Sequence, residues 1–281
     1  MNENQQGYLF GLEWAPELEL DILGAIGPES CVELIPENFF KGRYSAFLKA
    51  LREKGTPVAV HGVQLSIGSM EPLNESHLDK MLEVADQVNM INFSEHLALT
   101  AVENVVLDAL TPLAWNQEVA DEVCRKIDKV QSRLKVPFLI ENVSNRFVIP
   151  QSDYSETEFI NLILERTGCG LLLDVTNVYT NSVNFKFDPY EWIDQIRLDR
   201  VGLVHLAGGY RDPDGFLMDS HDNAVPQEAW DLYRYASKRV SLFITVIERT
   251  GNFPNFHSLR AELAFAESVI EDRALVAGGK A

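Results

Sequence analysis

Four of the six histidines in this 281-residue chain, His61, His96, His205 and His221, stand at or beside the ends of short apolar runs that also deliver carboxylates. "VAVHGV" ends in His61, "NFSEHL" in Glu95 and His96, and "FLIENV" in Glu141 and Asn142. "LLLDVTN" supplies Asp174, with Asn177 one turn on; "LVHLAG" supplies His205 and "TVIER" supplies Glu248. In "FLMDSHDN", Asp219 and His221 are two residues apart, which in an extended loop puts them on one side. A mixed imidazole and carboxylate set suits zinc, manganese or non-haem iron, whereas magnesium and calcium prefer all-oxygen shells. Eight or nine candidate ligands exceed the need of one ion, so two or three ions bridged by carboxylates are expected. Ligand type alone does not separate iron from zinc or manganese.

One histidine at a strand end is more often a hydrogen-bonded structural group than a ligand. The joint pattern argues otherwise. Several carboxylates buried together need counter-charge, and few basic residues stand at the matching strand ends. Bound cations would supply it. His77 and His257 fall in helical or loop contexts and read as surface residues. Cys31, Cys124 and Cys169 are widely spaced, with no CxxC pair for zinc or redox exchange, and read as reduced, buried and structural.

The elements that must position these residues alternate. Strands are expected at 30–36, 57–63, 88–97, 137–143, 170–178, 201–208 and 242–248, with "YLFGLEW" at 8–14 as an eighth. Helical periodicity shows between them, as at 116–134, where Val119, Val123, Ile127, Val130 and Leu134 recur. Strands apolar along most of their length and separated by helices predict a parallel sheet, and eight such units predict a TIM-type (β/α)8 barrel. A doubly wound open sheet is the alternative, but no GxGxxG turn follows the first strand. No linker, repeat or low-complexity segment marks a boundary, so residues 1–281 read as one barrel domain, with "LVAGGKA" as a frayed tail. In such a barrel the C-terminal ends of all strands open on one face, so residues distant in sequence meet in one cavity.

The formal charge of -18 argues against a nucleic-acid surface. No run is long and apolar enough to predict a membrane span, and the N-terminus lacks a basic stretch followed by an apolar one. A cytoplasmic protein is expected.

The segments "HGVQLSIGS", "SEHLALT", "IENVSN", "ETEFINLILERTGCGLLLDVTNVY", "VHLAGG", "DSHDNAVP" and "VIERTGNFP" together resemble the DUF692 family, the multinuclear non-haem iron-dependent oxidases. The likeness runs from about residue 8 to 260, with the motifs in the family's order. It implies a TIM-type barrel holding two or three iron ions, with O2 as co-substrate. It also implies a substrate class: residues, most often cysteine, of ribosomally made precursor peptides. Members include methanobactin enzymes that build oxazolone and thioamide from cysteine, and enzymes that excise the cysteine β-carbon in 3-thiaglutamate synthesis. A small partner protein that grips the leader of the cysteine-containing precursor is implied as well. Carried over by motif, the ligands are His61, His96, Glu141, Asp174, His205, Asp219, His221 and Glu248, with Asn177 and Asn142 as weaker candidates. Glu248 and Asp222 are the candidate catalytic groups, Asp222 by orienting a ligand or moving a proton, with a surface position as its alternative.

The chain departs from the family pattern at the rim. Gly209 and Asn223 stand where many relatives have histidine, Glu95 stands for a common aspartate, and Arg249 and Thr250 follow the last glutamate. These differences bear on the peptide product more than on metal binding. Two other readings of the same residues exist. A divalent-metal barrel can be an isomerase or hydrolase of a small molecule. It can also be a metal-binding subunit without chemistry.

Overall fold

The computed structural model describes residues 8–27, 30–102, 105–150, 152–240 and 244–278. The strands are β1 (Leu9–Glu13), β2 (Cys31–Leu34), β3 (Pro57–Gly62), β4 (Asn89–His96), β5 (Leu99–Val102), β6 (Val105–Thr111), β7 (Phe138–Glu141), β8 (Gly170–Asp174), β9 (Val201–Leu206), β10 (Tyr210–Arg211), β11 (Leu217–Met218) and β12 (Ile244–Ile247). The helices are α1 (Glu19–Ala25), α2 (Ser45–Lys54), α3 (Glu75–Ala85), α4 (Gln117–Gln131), α5 (Glu156–Thr167), α6 (Val175–Phe185), α7 (Pro189–Gln195), α8 (Gln227–Ser237) and α9 (Phe256–Gly278).

Eight parallel strands close in the order β1-β2-β3-β4-β7-β8-β9-β12, back to β1. This is the expected (β/α)8 barrel, and "YLFGLEW" provides its first strand. Two antiparallel hairpins, β5–β6 and β10–β11, are inserted after β4 and β9. Among the described residues, no helix is long and apolar enough to cross a membrane.

Several expected boundaries move, β2, β7 and β9 each ending two residues early. The run at 170–178 stops being a strand at Asp174, because the Asp174 carboxylate accepts the Asn177 N–H at 2.7 Å and starts α6 at Val175. The helix expected at 116–134 is α4, capped at its start by the Asn116 side chain on the Val119 N–H. The tail is helical as far as Gly278. The strand expected at 242–248 is described from Ile244, its first residues lying outside the described residues.

Side chains alternate across each strand, and this period explains what the barrel contains. The inward residues Cys31, Ala59, Leu139, Leu172, Leu203 and Val246 form a small apolar plug, each 2% exposed or less. Two residues further along the same strands come Glu33, His61, Glu141, Asp174, His205 and Glu248. On β1 the same step leads from Gly11 to Glu13, and on β4 from Asn92 to Ser94 and then His96. The outward residues between them, such as Val32, Val60, Ile140, Leu173, Val204 and Ile247, belong to the large core shared with the helices. Chain alternation therefore stacks a polar layer directly on an apolar one.

Candidate metal centre

The polar layer resolves into three groups whose potential ligand atoms lie within 4.8 Å of one another: His61, His96 and Glu141; Glu141, Asp174, His205 and Glu248; and Glu13, His221 and Glu248. Glu141 belongs to the first two and Glu248 to the last two. The groups thus form a chain joined by two shared carboxylates.

In the first group, Glu141 Oε2 is 3.3 Å from both His61 Nε2 and His96 Nε2. Two donors bonded at ~2.0–2.1 Å to one tetrahedral ion stand about 3.3–3.4 Å apart, so the spacing suits a shared cation. His61 Nδ1 donates to Ser94 Oγ at 2.9 Å, and that hydroxyl donates to the Val60 carbonyl. This leaves the Nε2 lone pair free. Burial, with His96 beside it, holds His61 well below the usual imidazole range, so it is neutral and ready to ligate. Burial also opposes charge on His96, but Glu141 and Glu95 outweigh it and lift His96 to about 9.

His205 occupies the middle of the chain. Its Nδ1 is 3.2 Å from Glu141 Oε1 and 3.1 Å from Glu248 Oε2, and its Nε2 is 2.8 Å from Glu33 Oε1. Burial disfavours its charge, yet Glu248, Glu33 and Glu141 hold it well above the usual range. Asp174 is pushed well above the carboxylate range by burial and by Asp219, Glu141 and Glu248. Glu13 is pushed up to about 8 by burial and Glu248.

The third group depends on the loop after β11. His221 has a left-handed backbone, φ 51°, so the loop turns here and is not extended as the sequence suggested. The turn still brings His221 Nε2 to 2.7 Å from Asp219 Oδ1, and Ser144 donates to Asp219 Oδ2. Thr250 anchors the turn, donating its N–H to the His221 carbonyl and its hydroxyl to the Ser220 carbonyl. Arg249 is buried and pairs with Glu262 at 3.3 Å, and Glu262 also accepts the Val225 N–H. The buried cation after the last glutamate thus faces α9 and holds the same loop.

Many of these buried atoms have no aligned hydrogen-bond partner among the described residues: both oxygens of Glu33, and Glu13 Oε2, His96 Nδ1, Glu141 Oε2, Asp174 Oδ2, Asn177 Oδ1, His205 Nε2, Asp219 Oδ1, His221 Nε2 and Glu248 Oε2. Unpaired buried donors and acceptors cost free energy, and carboxylates crowded at short range repel. Cations among them satisfy both demands, so the residues fit a multinuclear metal centre.

A family model for "RiPP precursor modification enzyme MbnB/TglH/ChrH" matches residues 9–271. The chain belongs to this family, DUF692. Its relatives include UPF0276 proteins of Caulobacter vibrioides, 37% identical over 84% of this chain and 85% of the relative, and of Rhizorhabdus wittichii, 37% identical over 93% and 94%. Among solved structures, a D-tagatose 3-epimerase-like protein shares the fold with a TM-score of 0.57 at 14% identity, covering 97% of this chain and 99% of its own. The 3-keto-D-glucoside 4-epimerase YcjR of E. coli gives 0.56 at 15%, covering 92% and 98%. At such identity the likeness concerns the barrel alone.

Of the residues expected in this DUF692 centre, His61, His96, Glu141, Asp174, His205, His221 and Glu248 meet in the three groups, and Asp219 contacts His221. Asn177 lies beside them, donating to the Asn142 carbonyl while its Oδ1 is buried and open. Asn142 is spent on the sheet: its amide accepts the Asp174 N–H and donates to the Asp174 carbonyl. Asp222 is outside the groups, its carboxylate accepting from Ser220, Asn223 and Asn252. His77 is half-buried against Glu37 at 3.1 Å and not a free surface residue, because Glu37 also gathers the N–H groups of Val63 and Gln64. Glu13, Glu33 and Ser94 were missed. The signal was there, since each acid follows an inward small residue by two positions.

Proposed function

We propose that this protein is an iron- and O2-dependent oxidase that modifies cysteine residues of a ribosomally made precursor peptide. The observation that carries the reading is the sharing of Glu141 and Glu248 among three groups, which suits two or three adjacent ions better than one. The family match supplies the substrate class. Oxazolone and thioamide formation, or excision of the cysteine β-carbon, are the reactions this class includes.

His61, His96 and Glu141 would hold one ion; Glu141, Asp174, His205 and Glu248 a second; and Glu13, Asp219, His221 and Glu248 a third, with Asn177 Oδ1 as an added donor. Iron supplies the redox chemistry and favours the substrate cysteine as thiolate. The chain's own residues set the ligand geometry. Ser94 fixes the His61 tautomer, Glu33 faces the far nitrogen of His205, and the apolar plug keeps water out from below. Glu248 is placed in this reading as a bridging ligand. Asp222 is assigned to holding the turn around His221, in place of a proton-moving role. A small leader-binding partner protein, a cytoplasmic setting and a single barrel over the whole chain complete the proposal.

The test is anaerobic purification with metal analysis and Mössbauer spectroscopy, on the wild type and on His205→Ala. Two or more coupled irons per chain, reduced in number in the variant, are expected. Stoichiometric zinc or manganese with no stable iron would overturn the oxidase and favour an isomerase or hydrolase of a small molecule.

A further inference from the structure

Away from the metal centre, a cavity of about 280 Å³ opens between the start of α5, the end of α6 and the start of α7. Four aromatic residues line it: Trp115, Phe185, Phe187 and Trp192. Its charged lining is acidic throughout, from Glu156, Asp188 and Glu191, and among the described residues no lysine or arginine lines it. An apolar guest would gain from the rings, but the carboxylates would only cost desolvation. A cation gains from both, because ring faces carry negative potential and the acids supply counter-charge.

Glu156 is half-buried at the centre of this arrangement. Its Oε2 accepts the Trp192 indole N–H at 2.8 Å and its Oε1 accepts from Asn145 at 3.0 Å. Each carboxylate oxygen keeps a second lone pair for a ligand. Burial, opposed by those two donors, pushes Glu156 up to about 7, so an arriving cation would draw out its full charge. The cavity is coupled to the metal layer through the chain: Asn145 follows Glu141 by four residues, and Asn181 fixes the segment between, accepting the Asn145 N–H and donating to the Val143 carbonyl.

We propose that this cavity is a subsite for a lysine or arginine side chain of the peptide substrate, with its stem along the aromatic lining and its charged head at Glu156. The peptide as source rests on the function proposed above; the preference for an organic cation does not.

The experiment titrates the full chain, with and without iron, using n-butylammonium and n-butylguanidinium, with n-butanol as the neutral counterpart, and follows tryptophan fluorescence. Saturable binding of the cations, at least roughly tenfold tighter than butanol, is expected. It should be lost in Glu156→Gln and weakened in Glu191→Gln, whose exposed side chain makes the change harmless to folding. Butanol binding equal to the cations, or cation binding unchanged in both variants, would overturn the subsite. Because the titration also runs without iron, a failed subsite and a failed oxidase give different results.

Discussion

Glu33 Oε1 and His205 Nε2 meet at 2.8 Å, both fully buried, without the alignment of a hydrogen bond. The other ring nitrogen faces Glu141 and Glu248, so Glu33 stands behind a candidate ligand. The charge of a carboxylate in that position raises the basicity of the ring. Glu33→Gln is expected to weaken metal binding roughly 10- to 100-fold in a chelator competition while leaving the saturated metal count intact. Unchanged affinity would remove Glu33 from the centre, and a lost ion would make it a ligand in its own right.

Sharing predicts an asymmetry between substitutions. Glu141 serves two groups and His96 only one, so Glu141→Ala should remove two ions per chain and His96→Ala one. Metal analysis of anaerobically loaded protein measures both. Equal losses would mean that the groups do not act as a bridged chain.

Gly209 lies against the strand that precedes Asp219. A Cβ there would fall on the Met218 carbonyl oxygen and come within 3.4 Å of the Ser220 nitrogen. Backbone must move to admit it. Gly209→Ala should cost about 1–3 kcal/mol in urea unfolding. It should also empty the position nearest His221 while sparing the one at His61 and His96. Retention of the full metal count would show that the loop adapts without loss.

Glu156 gives a pH dependence whose sign can be worked out. Its folded value is raised to about 7 from the ordinary 4.5, so the folded state holds the proton more tightly than the unfolded one. The associated stability is fully present below 4.5 and is lost as pH rises through about 7. Glu156→Gln cannot titrate. The stability advantage of wild type over this variant should therefore shrink between pH 4.5 and 8 in thermal melts, and a constant difference would contradict the burial argument.

Much of the centre was legible because β-strand alternation writes it into the chain: an acid or histidine stands two residues beyond a small or apolar inward residue on seven of the eight barrel strands. Glu13 and Glu33 escaped because each is a lone acid in an apolar run and looks like an ordinary strand end. The helix after Asp174 was read as strand because "VTNV" is rich in β-branched residues, whereas a single capping carboxylate decides the outcome. His221 was placed on an extended loop because nothing local announces a left-handed histidine; the turn is imposed by Thr250, 29 positions away. The aromatic and acidic cavity was invisible for a similar reason. Its walls come from Trp115, the β7–α5 connection and three helices, and no single stretch contains the pattern.

The plug of Cys31, Ala59, Leu139, Leu172, Leu203 and Val246 makes the barrel a vessel with one mouth. Whatever reaches the polar layer arrives from above, and whatever leaves departs the same way. On the proposed function, a peptide seated over that opening would also stopper it. For a reaction that consumes a gas as well as a peptide, the order of arrival then becomes part of the chemistry.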